Sequence, residues 1–172
     1  STTKRLEVFV DGELVDIALV DVARSREKYI GARAVWDIQT IQEICLTHSN
    51  PASIGLSAIG TQLDLISADD PIGIRFALGE SDYSVLAPVA PGMVVEVPIN
   101  HWSYLAMGDR VGFGTGPCTL ALDGERSLTI KPGEKIEISL TCKGPRVVRV
   151  DAVLKEMALN GTLRRRTTSN VN

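Results

Sequence analysis

Hydrophobic and polar residues alternate over short stretches of this chain, and turn-forming residues separate the stretches. The alternating or β-branched runs cover residues 6–10, 14–22, 72–78, 94–99, 110–113, 119–122, 128–130, 135–142 and 147–150. Pairs such as Asp70-Pro71 and Pro91-Gly92 lie between them and are typical of turns. Because short strands with frequent turns are typical of antiparallel sandwiches and barrels, the pattern predicts a mainly β, antiparallel β-sandwich-like domain with a few short helices.

Two Asp-Gly pairs predict hairpins. Asp11-Gly12 and Asp123-Gly124 each separate two strand-like runs, and Asp-Gly supplies the positive φ values that a tight hairpin turn needs. Each pair is followed by Glu, but the shared stretch is too short to indicate a duplication. We interpret it as independent use of a common turn.

Helical signals are few. Asp37 could cap a helix that includes residues 38–45, because apolar residues recur there at helical spacing, although residues 36–47 could equally finish as a strand. A second helix is predicted after Asp151 as its N-cap, with an apolar stripe over residues 152–158 and an end at Gly161. Together these patterns predict one β-rich domain over residues 1–163 and a polar, flexible tail over 164–172.

Composition and charge narrow the function classes. The chain has 172 residues, of which 44% are hydrophobic and 23% charged, as in ordinary globular domains. Its 18 basic and 21 acidic residues give a net charge of −3, and only 5% are aromatic. These values argue against a nucleic-acid partner, which needs a basic surface or stacking rings. No apolar run approaches the roughly 20 residues of a membrane span, so no membrane partner is expected.

The cysteines predict no metal site. Cys45, Cys118 and Cys142 are widely spaced, and only His48 and His101 could join them as ligands. Three reduced, mostly packed thiols are expected, as in a cytoplasmic protein. A Cys45–His48 nucleophilic pair is conceivable, but packing of the thiol is the favoured interpretation.

Two further segments could bind an anion. The glycine-rich segment 112–117 could present backbone N–H groups to a phosphate, although a bend or bulge between strands is favoured. Arg24 and Arg26, followed by Lys28 and Arg33, could clamp a phosphate or carboxylate with guanidinium groups. Solvated loop charges explain these residues equally well.

Three segments, in this order, resemble one family. Residues 17–26 resemble the strand on which NAD kinases carry an Asn-Glu or Asn-Asp pair, with Asp21 at the acidic position and Val20 replacing Asn. Residues 46–60 resemble their Thr-Pro-Thr-Gly-Ser-Thr-Ala-Tyr loop, which is shortened here and lacks Gly-Ser-Thr and Tyr. Residues 120–125 resemble their late Asp-Gly hairpin. The chain thus resembles the C-terminal domain of the NAD kinase superfamily, in the ATP-NAD kinase-like branch that includes acetoin-catabolism protein X.

The resemblance implies a dinucleotide site. Asp21 would accept hydrogen bonds from ribose hydroxyls, and Asn50 and Ser53 would face the ligand from the shortened loop. A phosphate would be held by Arg24 or Arg26. The hairpin residue Asp123 is the sixth candidate for substrate binding. NAD, and ATP with Mg²⁺, are the implied substrate and cofactor.

The family also implies a two-domain kinase whose Gly-Gly-Asp-Gly loop lies in an N-terminal domain. This sequence contains no Gly-Gly-Asp-Gly, and phosphoryl transfer needs a phosphate cradle positioned together with a metal or base. The chain alone is therefore predicted to be inactive, with no catalytic residue or metal ligand of its own. A partner domain carrying that loop and a homo-oligomer are expected. The alternatives are a non-catalytic binding or oligomerisation domain that kept the fold, and an unrelated β-sandwich.

Overall fold

The computed structural model describes residues 3–27, 38–162 and 164. Their strands are β1 Arg5–Val10, β2 Glu13–Ala18, β3 Asp21–Ser25, β4 Ile41–Leu46, β5 Ile72–Leu78, β6 Ser84–Ala90, β7 Met93–Ala106, β8 Arg110–Thr115, β9 Cys118–Leu122, β10 Arg126–Ile130 and β11 Lys135–Thr141. The helices are α1 Leu56–Thr61 and α2 Val150–Leu159, and a 3₁₀ turn covers Ile38–Thr40.

The strands form two antiparallel sheets. One sheet has the order β2-β1-β11-β8, and the other has the order β10-β9-β3-β4-β5-β7-β6. Neighbouring strands pair antiparallel in both. The mainly β, antiparallel sandwich-like prediction is confirmed.

The seven-stranded sheet is packed on both faces. Leu6, Ile138, Phe113 and other apolar residues from both sheets form the core between them. A second cluster, which includes Phe76 and Ile59 of α1, covers the opposite face. Because successive side chains of a strand point to opposite faces, β4 contributes Cys45 to the first cluster and its neighbours to the second.

The chain moves from one sheet to the other at Leu19 and Val20. Residues 14–22 were predicted as one strand, and that prediction is wrong: β2 pairs with β1 in the four-stranded sheet, whereas β3 pairs with β4 and β9. Both strands have an alternating pattern, so the pattern continues across the break. We call Leu19 and Val20 the sheet-crossing corner.

Both Asp-Gly hairpins are confirmed. Asp11 and Gly12 have φ values of 49° and 88°, and Asp123 and Gly124 have values of 54° and 67°. Left-handed φ values at two successive turn residues match the right-handed twist of the flanking strands.

The helix predictions are partly confirmed. The strand alternative for residues 36–47 is correct over β4, and Asp37 lies outside the described residues. Residues 147–149 form no strand, and Val150 already begins α2, so the 147–150 strand is a wrong prediction. The N-cap is Arg149 rather than Asp151.

The predicted end of α2 is confirmed. Gly161 has a φ of 68°, and the N–H groups of Gly161 and Thr162 donate to the carbonyls of Ala158 and Met157 at 3.4 and 3.1 Å. This is the double hydrogen bond of a Schellman ending. Helix α1 was not predicted. Apart from Arg164, the predicted tail lies outside the described residues. Within those residues no helix is long and apolar enough to cross a bilayer.

Candidate functional site

Four of the six predicted site residues lie on the segments that meet at one end of β3. Asp21 begins β3 and pairs with Leu46 at the end of β4. The next residue, Thr47, donates its N–H to the Val20 carbonyl at 2.9 Å. This pairing brings Asp21 beside Thr47, the first residue of the segment 47–55, which contains Asn50 and Ser53 and leads into α1. We call this region the strand-end site.

Asp21 is half-buried and has a free carboxyl group. Within the part of the chain that the structure describes, nothing donates a hydrogen bond to its side chain. Burial, and to a lesser extent the negative charge of Asp123, raise the pKa of Asp21 to about 7. Near neutral pH this carboxyl group therefore exists in both forms, so it can accept a hydrogen bond or donate one.

Asp123 lies next to Asp21 but its carboxylate is already engaged. Oδ1 accepts the N–H groups of Val20 and Asp21 at 2.7 and 3.3 Å, and both oxygens accept that of Leu19, at 2.9 and 3.0 Å. In return, the Asp123 N–H donates to the Asp21 carbonyl at 3.0 Å. Asp123 thus holds the sheet-crossing corner and places Asp21.

Thr47 and His48 extend the strand-end site. The sequence did not single out Thr47, and it considered His48 only as a metal ligand or as a partner of Cys45. The Thr47 hydroxyl donates to the Leu19 carbonyl at 2.8 Å and lies 2.8 Å from Nδ1 of His48. Burial, and repulsion by Lys4, lower the pKa of His48, which favours a neutral imidazole. Their polar side chains, within the segment 46–60 that resembles the NAD kinase loop, are the only sequence signal that could have identified these two residues.

A small, mostly apolar cavity of about 200 Å³ adjoins His48. Its lining includes Lys4, Leu19, Pro145 and Val147. The Lys4 ammonium group donates to the carbonyls at positions 67, 70 and 72 at 2.9, 2.9 and 2.7 Å. All three hydrogens of the ammonium group are therefore used in hydrogen bonds. The cavity would contact a ligand mainly through apolar side chains rather than through a free charge.

Asn50 and Ser53 form the turn that follows β4. The Asn50 side-chain oxygen accepts the Ala52 N–H at 2.9 Å, and the Asn50 carbonyl accepts the Ser53 N–H at 2.9 Å. Asn50 is exposed and Ser53 is half-buried. The Asn50 amide nitrogen and the Ser53 hydroxyl therefore stay available to a ligand.

Arg24 lies further along β3, inside an ion-pair network. It donates to Gln42 at 2.7 Å and to Glu43 at 3.2 Å, and Glu43 also pairs with Arg75. Its Nε atom is buried without a partner among the described residues. Arg24 is thus neither solvated nor exposed for clamping a ligand.

Arg26 lies past the other end of β3 and is exposed. It lines a cleft of about 740 Å³ with Leu78, Glu80 and Glu96 among others. Five residue-to-residue steps along the extended chain separate Arg26 from Asp21, or about 16 Å at the usual rise. The structure therefore does not bring the two arginines and Asp21 to one point, and Lys28 and Arg33 lie outside the described residues.

The glycine-rich segment forms the predicted irregularity between strands. The pairing of β8 with β11 shifts register between Lys135 and Glu137. At Gly114, where φ is 98°, an added Cβ would lie 2.9 Å from Cζ of Arg24. The segment therefore lets β8 pass over the Arg24 guanidinium group.

The Cys45 thiol is not suited to act as a nucleophile. Cys45 and Cys118 are buried and Cys142 is exposed, and all three are free. Burial raises the pKa of the Cys45 thiol well above its ordinary value, so it stays protonated. Among the described residues no group of three His, Cys, Asp or Glu side chains could hold a metal ion.

Comparisons with known proteins give one consistent result. A family model described as "Acetoin catabolism protein X C-terminal domain" matches residues 4–143. The protein named "Acetoin catabolism protein X" from Cupriavidus necator is 32% identical over 173 aligned residues, which cover 95% of this chain and 48% of that protein. The chain therefore spans about half the length of the curated relative it matches.

Proposed function

The chain belongs to the acetoin catabolism protein X C-terminal domain family, and from this premise we propose that it is the NAD-binding half of an ATP-NAD kinase-like protein. Phosphoryl transfer from ATP to NAD would require a Gly-Gly-Asp-Gly domain that this sequence does not contain. The name of its relative supports a role in acetoin catabolism, and the three free thiols support a cytoplasmic location.

One observation carries the proposal: the half-buried Asp21 carboxyl group has no hydrogen-bond donor among the described residues. The Asp21 oxygens are not among the fully buried atoms without a partner, so they reach solvent and are accessible to a ligand. The two hydroxyls of a ribose would supply the missing donors, and a carboxylate is the usual acceptor for such a diol in dinucleotide sites. Asp123 acts as a positioning residue, because it fixes the backbone from which Asp21 projects.

The other predicted site residues are assigned roles in ligand binding according to whether their side chains are free of contacts within the protein. Asn50 and Ser53 would contact the ligand from the turn after β4. Arg26 is the better candidate for a phosphate, since it is exposed, whereas Arg24 is engaged with Gln42 and Glu43. Val22, Ala23 and Ser25 of β3 are buried, so a ligand at Asp21 cannot lie along β3, and a phosphate contact with Arg26 would be separate from the strand-end site.

Calorimetric titration with NAD tests this proposal on the longer gene product and on the 172-residue chain. Asp21→Ala is expected to weaken NAD binding at least tenfold, because about 1.4 kcal/mol of lost hydrogen bonding corresponds to that factor. Asp82→Ala, at an exposed position away from the strand-end site, is the matched control. Unchanged binding by Asp21→Ala, or no NAD binding by the parent, would contradict the assignment.

A non-catalytic assembly domain is the second candidate function. It is favoured by Val20 in place of Asn and by the loss of Gly-Ser-Thr after Pro51. In that case the chain would form a homo-oligomer with no nucleotide preference. Sedimentation that shows a monomer indifferent to ligand would argue against it.

A further inference from the structure

Helix α2 carries an apolar stripe that the described part of the chain does not cover. Val150, Val153 and Leu154 are 61, 44 and 51% exposed, and no residue of α2 is buried. Together with Met157 these residues recur at the spacing of one helix face. Such a face in a protein of this size is normally packed against another element.

The helix is also short for one that stands alone. An isolated helix of fewer than about 12 residues is marginal in water, and most helical stability in proteins comes from packing. α2 has ten residues. Its Schellman ending gives some local support, but the apolar stripe gives no stability until something covers it.

The chain's first described residues lie where the polypeptide leaves for α2. Thr3 donates its N–H to the Pro145 carbonyl at 3.0 Å, and Gly144 donates to the Thr3 carbonyl at 2.9 Å. Any segment that precedes Thr3 in a longer protein therefore enters beside the segment that leads to α2. Val147 and Val148, which are also exposed, continue the apolar surface from that point.

More than half of the matched relative lies outside the aligned region, and the matched family is described as a C-terminal domain. We propose that α2 packs through Val150, Val153, Leu154 and Met157 into an apolar groove on the half of the longer polypeptide that precedes this sequence. α2 thus belongs structurally to that half. The polar side chains of Asp151, Lys155 and Glu156 stay in water.

This inference shares one requirement with the proposed function, on which it otherwise does not rest: both need the half of the longer polypeptide that precedes this sequence. NAD plays no part in the inference. Its test is hydrogen exchange of the α2 amides, without nucleotide, in the longer gene product and in the 172-residue chain. Exchange is expected to be at least tenfold slower in the longer protein, while the β4 and β5 amides exchange equally in both.

Two variants of the longer protein make the test specific to the stripe. Leu154→Glu is expected to abolish the added protection of α2. Leu159→Glu is the matched control, because Leu159 is 75% exposed and projects about 180° from Val150 around the helix. Loss of protection in both variants, or in neither, would overturn the assignment of the stripe.

Three other results would overturn the proposal. The first is equal α2 exchange in the long and short proteins. The second is protection in the short chain that rises with its concentration, since a second copy would then cover the stripe. The third is a natural gene product of 18.5 kDa, the mass of this chain. A protein that protects α2 yet fails to bind NAD would keep this inference and lose the proposed function.

Discussion

Two neighbouring carboxyl groups, on Asp21 and Asp123, differ in what they contact. Asp123 accepts the successive N–H groups of Leu19, Val20 and Asp21, where the chain passes from β2 into β3, whereas the Asp21 side chain accepts none from the described residues. The sequence resemblance assigned both to ligand binding. Only the structure shows that Asp123 holds the backbone whereas Asp21 is free to contact a ligand. The reason is that the backbone partners of Asp123 lie about a hundred positions away in the sequence.

Asp123→Ala should destabilise the fold. The N–H groups of the sheet-crossing corner and of Asp21 would lose a charged acceptor, which typically costs about 1–3 kcal/mol. Urea unfolding of the variant measures the loss. Asp109→Ala, at an exposed turn position, provides the control and should change stability by less than about 0.5 kcal/mol. Equal stability of the two variants would show that the corner does not depend on Asp123.

Asp21→Asn should make the protein more stable at alkaline pH. The pKa of Asp21 is about 7 in the fold against an ordinary 3.8, so between these values the unfolded chain loses this proton while the folded protein keeps it. Stability therefore falls as pH rises from about 4 to 7, and the loss stays complete above 7.

The amide has no such proton to lose. Its advantage over the parent should be small at pH 4 and on the order of 2 kcal/mol at pH 8. Thermal unfolding at the two pH values measures this, with Asp82→Asn as the control. A stability difference that does not change with pH would show that Asp21 titrates as an ordinary carboxyl group.

At the scale of elements, local pattern predicted hairpins better than it predicted where the chain changes sheets. The two Asp-Gly turns are encoded by adjacent residues. The break at Leu19 and Val20 is not, because residues 14–22 keep the alternation of a single strand. Contacts with the distant Asp123 hairpin make the break. Likewise, spacing predicted helix α2 with its end at Gly161, but spacing cannot reveal what covers a helix.

Strand β8 offers a test of close approach between elements. Gly114→Ala should destabilise the protein by about 1–3 kcal/mol, since its φ of 98° disfavours any side chain and the new Cβ would press on the Arg24 guanidinium group. Gly112→Ala is the matched control in the same strand, because nothing lies within 4 Å of its Cβ position. Thermal unfolding compares the two, and similar midpoints would contradict the role given to Gly114.

At the scale of the whole molecule, the sandwich is well packed while its proposed chemistry is incomplete. One apolar cluster lies between the sheets and a second covers the opposite face of the seven-stranded sheet. Composition with turn spacing was enough to predict the sandwich-like architecture. The strand-end site was harder to predict, because Thr47 belongs to it through its contact with the sheet-crossing corner and His48 through its contact with Thr47. No sequence motif contains those contacts.

The 172-residue chain should form no NADP when it is incubated with NAD, ATP and Mg²⁺. It lacks the Gly-Gly-Asp-Gly loop, and phosphoryl transfer depends on positioned phosphate and metal contacts. A coupled NADP assay of this chain beside the longer gene product measures the difference. NADP formation by the 172-residue chain would contradict the proposal that phosphoryl transfer requires the Gly-Gly-Asp-Gly domain as well.

The bond between the sheet-crossing corner and Asp123 also sets an order of events during synthesis. Leu19 and its acceptor are 104 residues apart, so the ribosome makes both strands that flank the corner long before the carboxylate exists. Contacts that close such long loops form slowly. The nascent chain can therefore complete the β1–β2 hairpin early, but β3 gains its final anchor only after the β9–β10 hairpin has emerged.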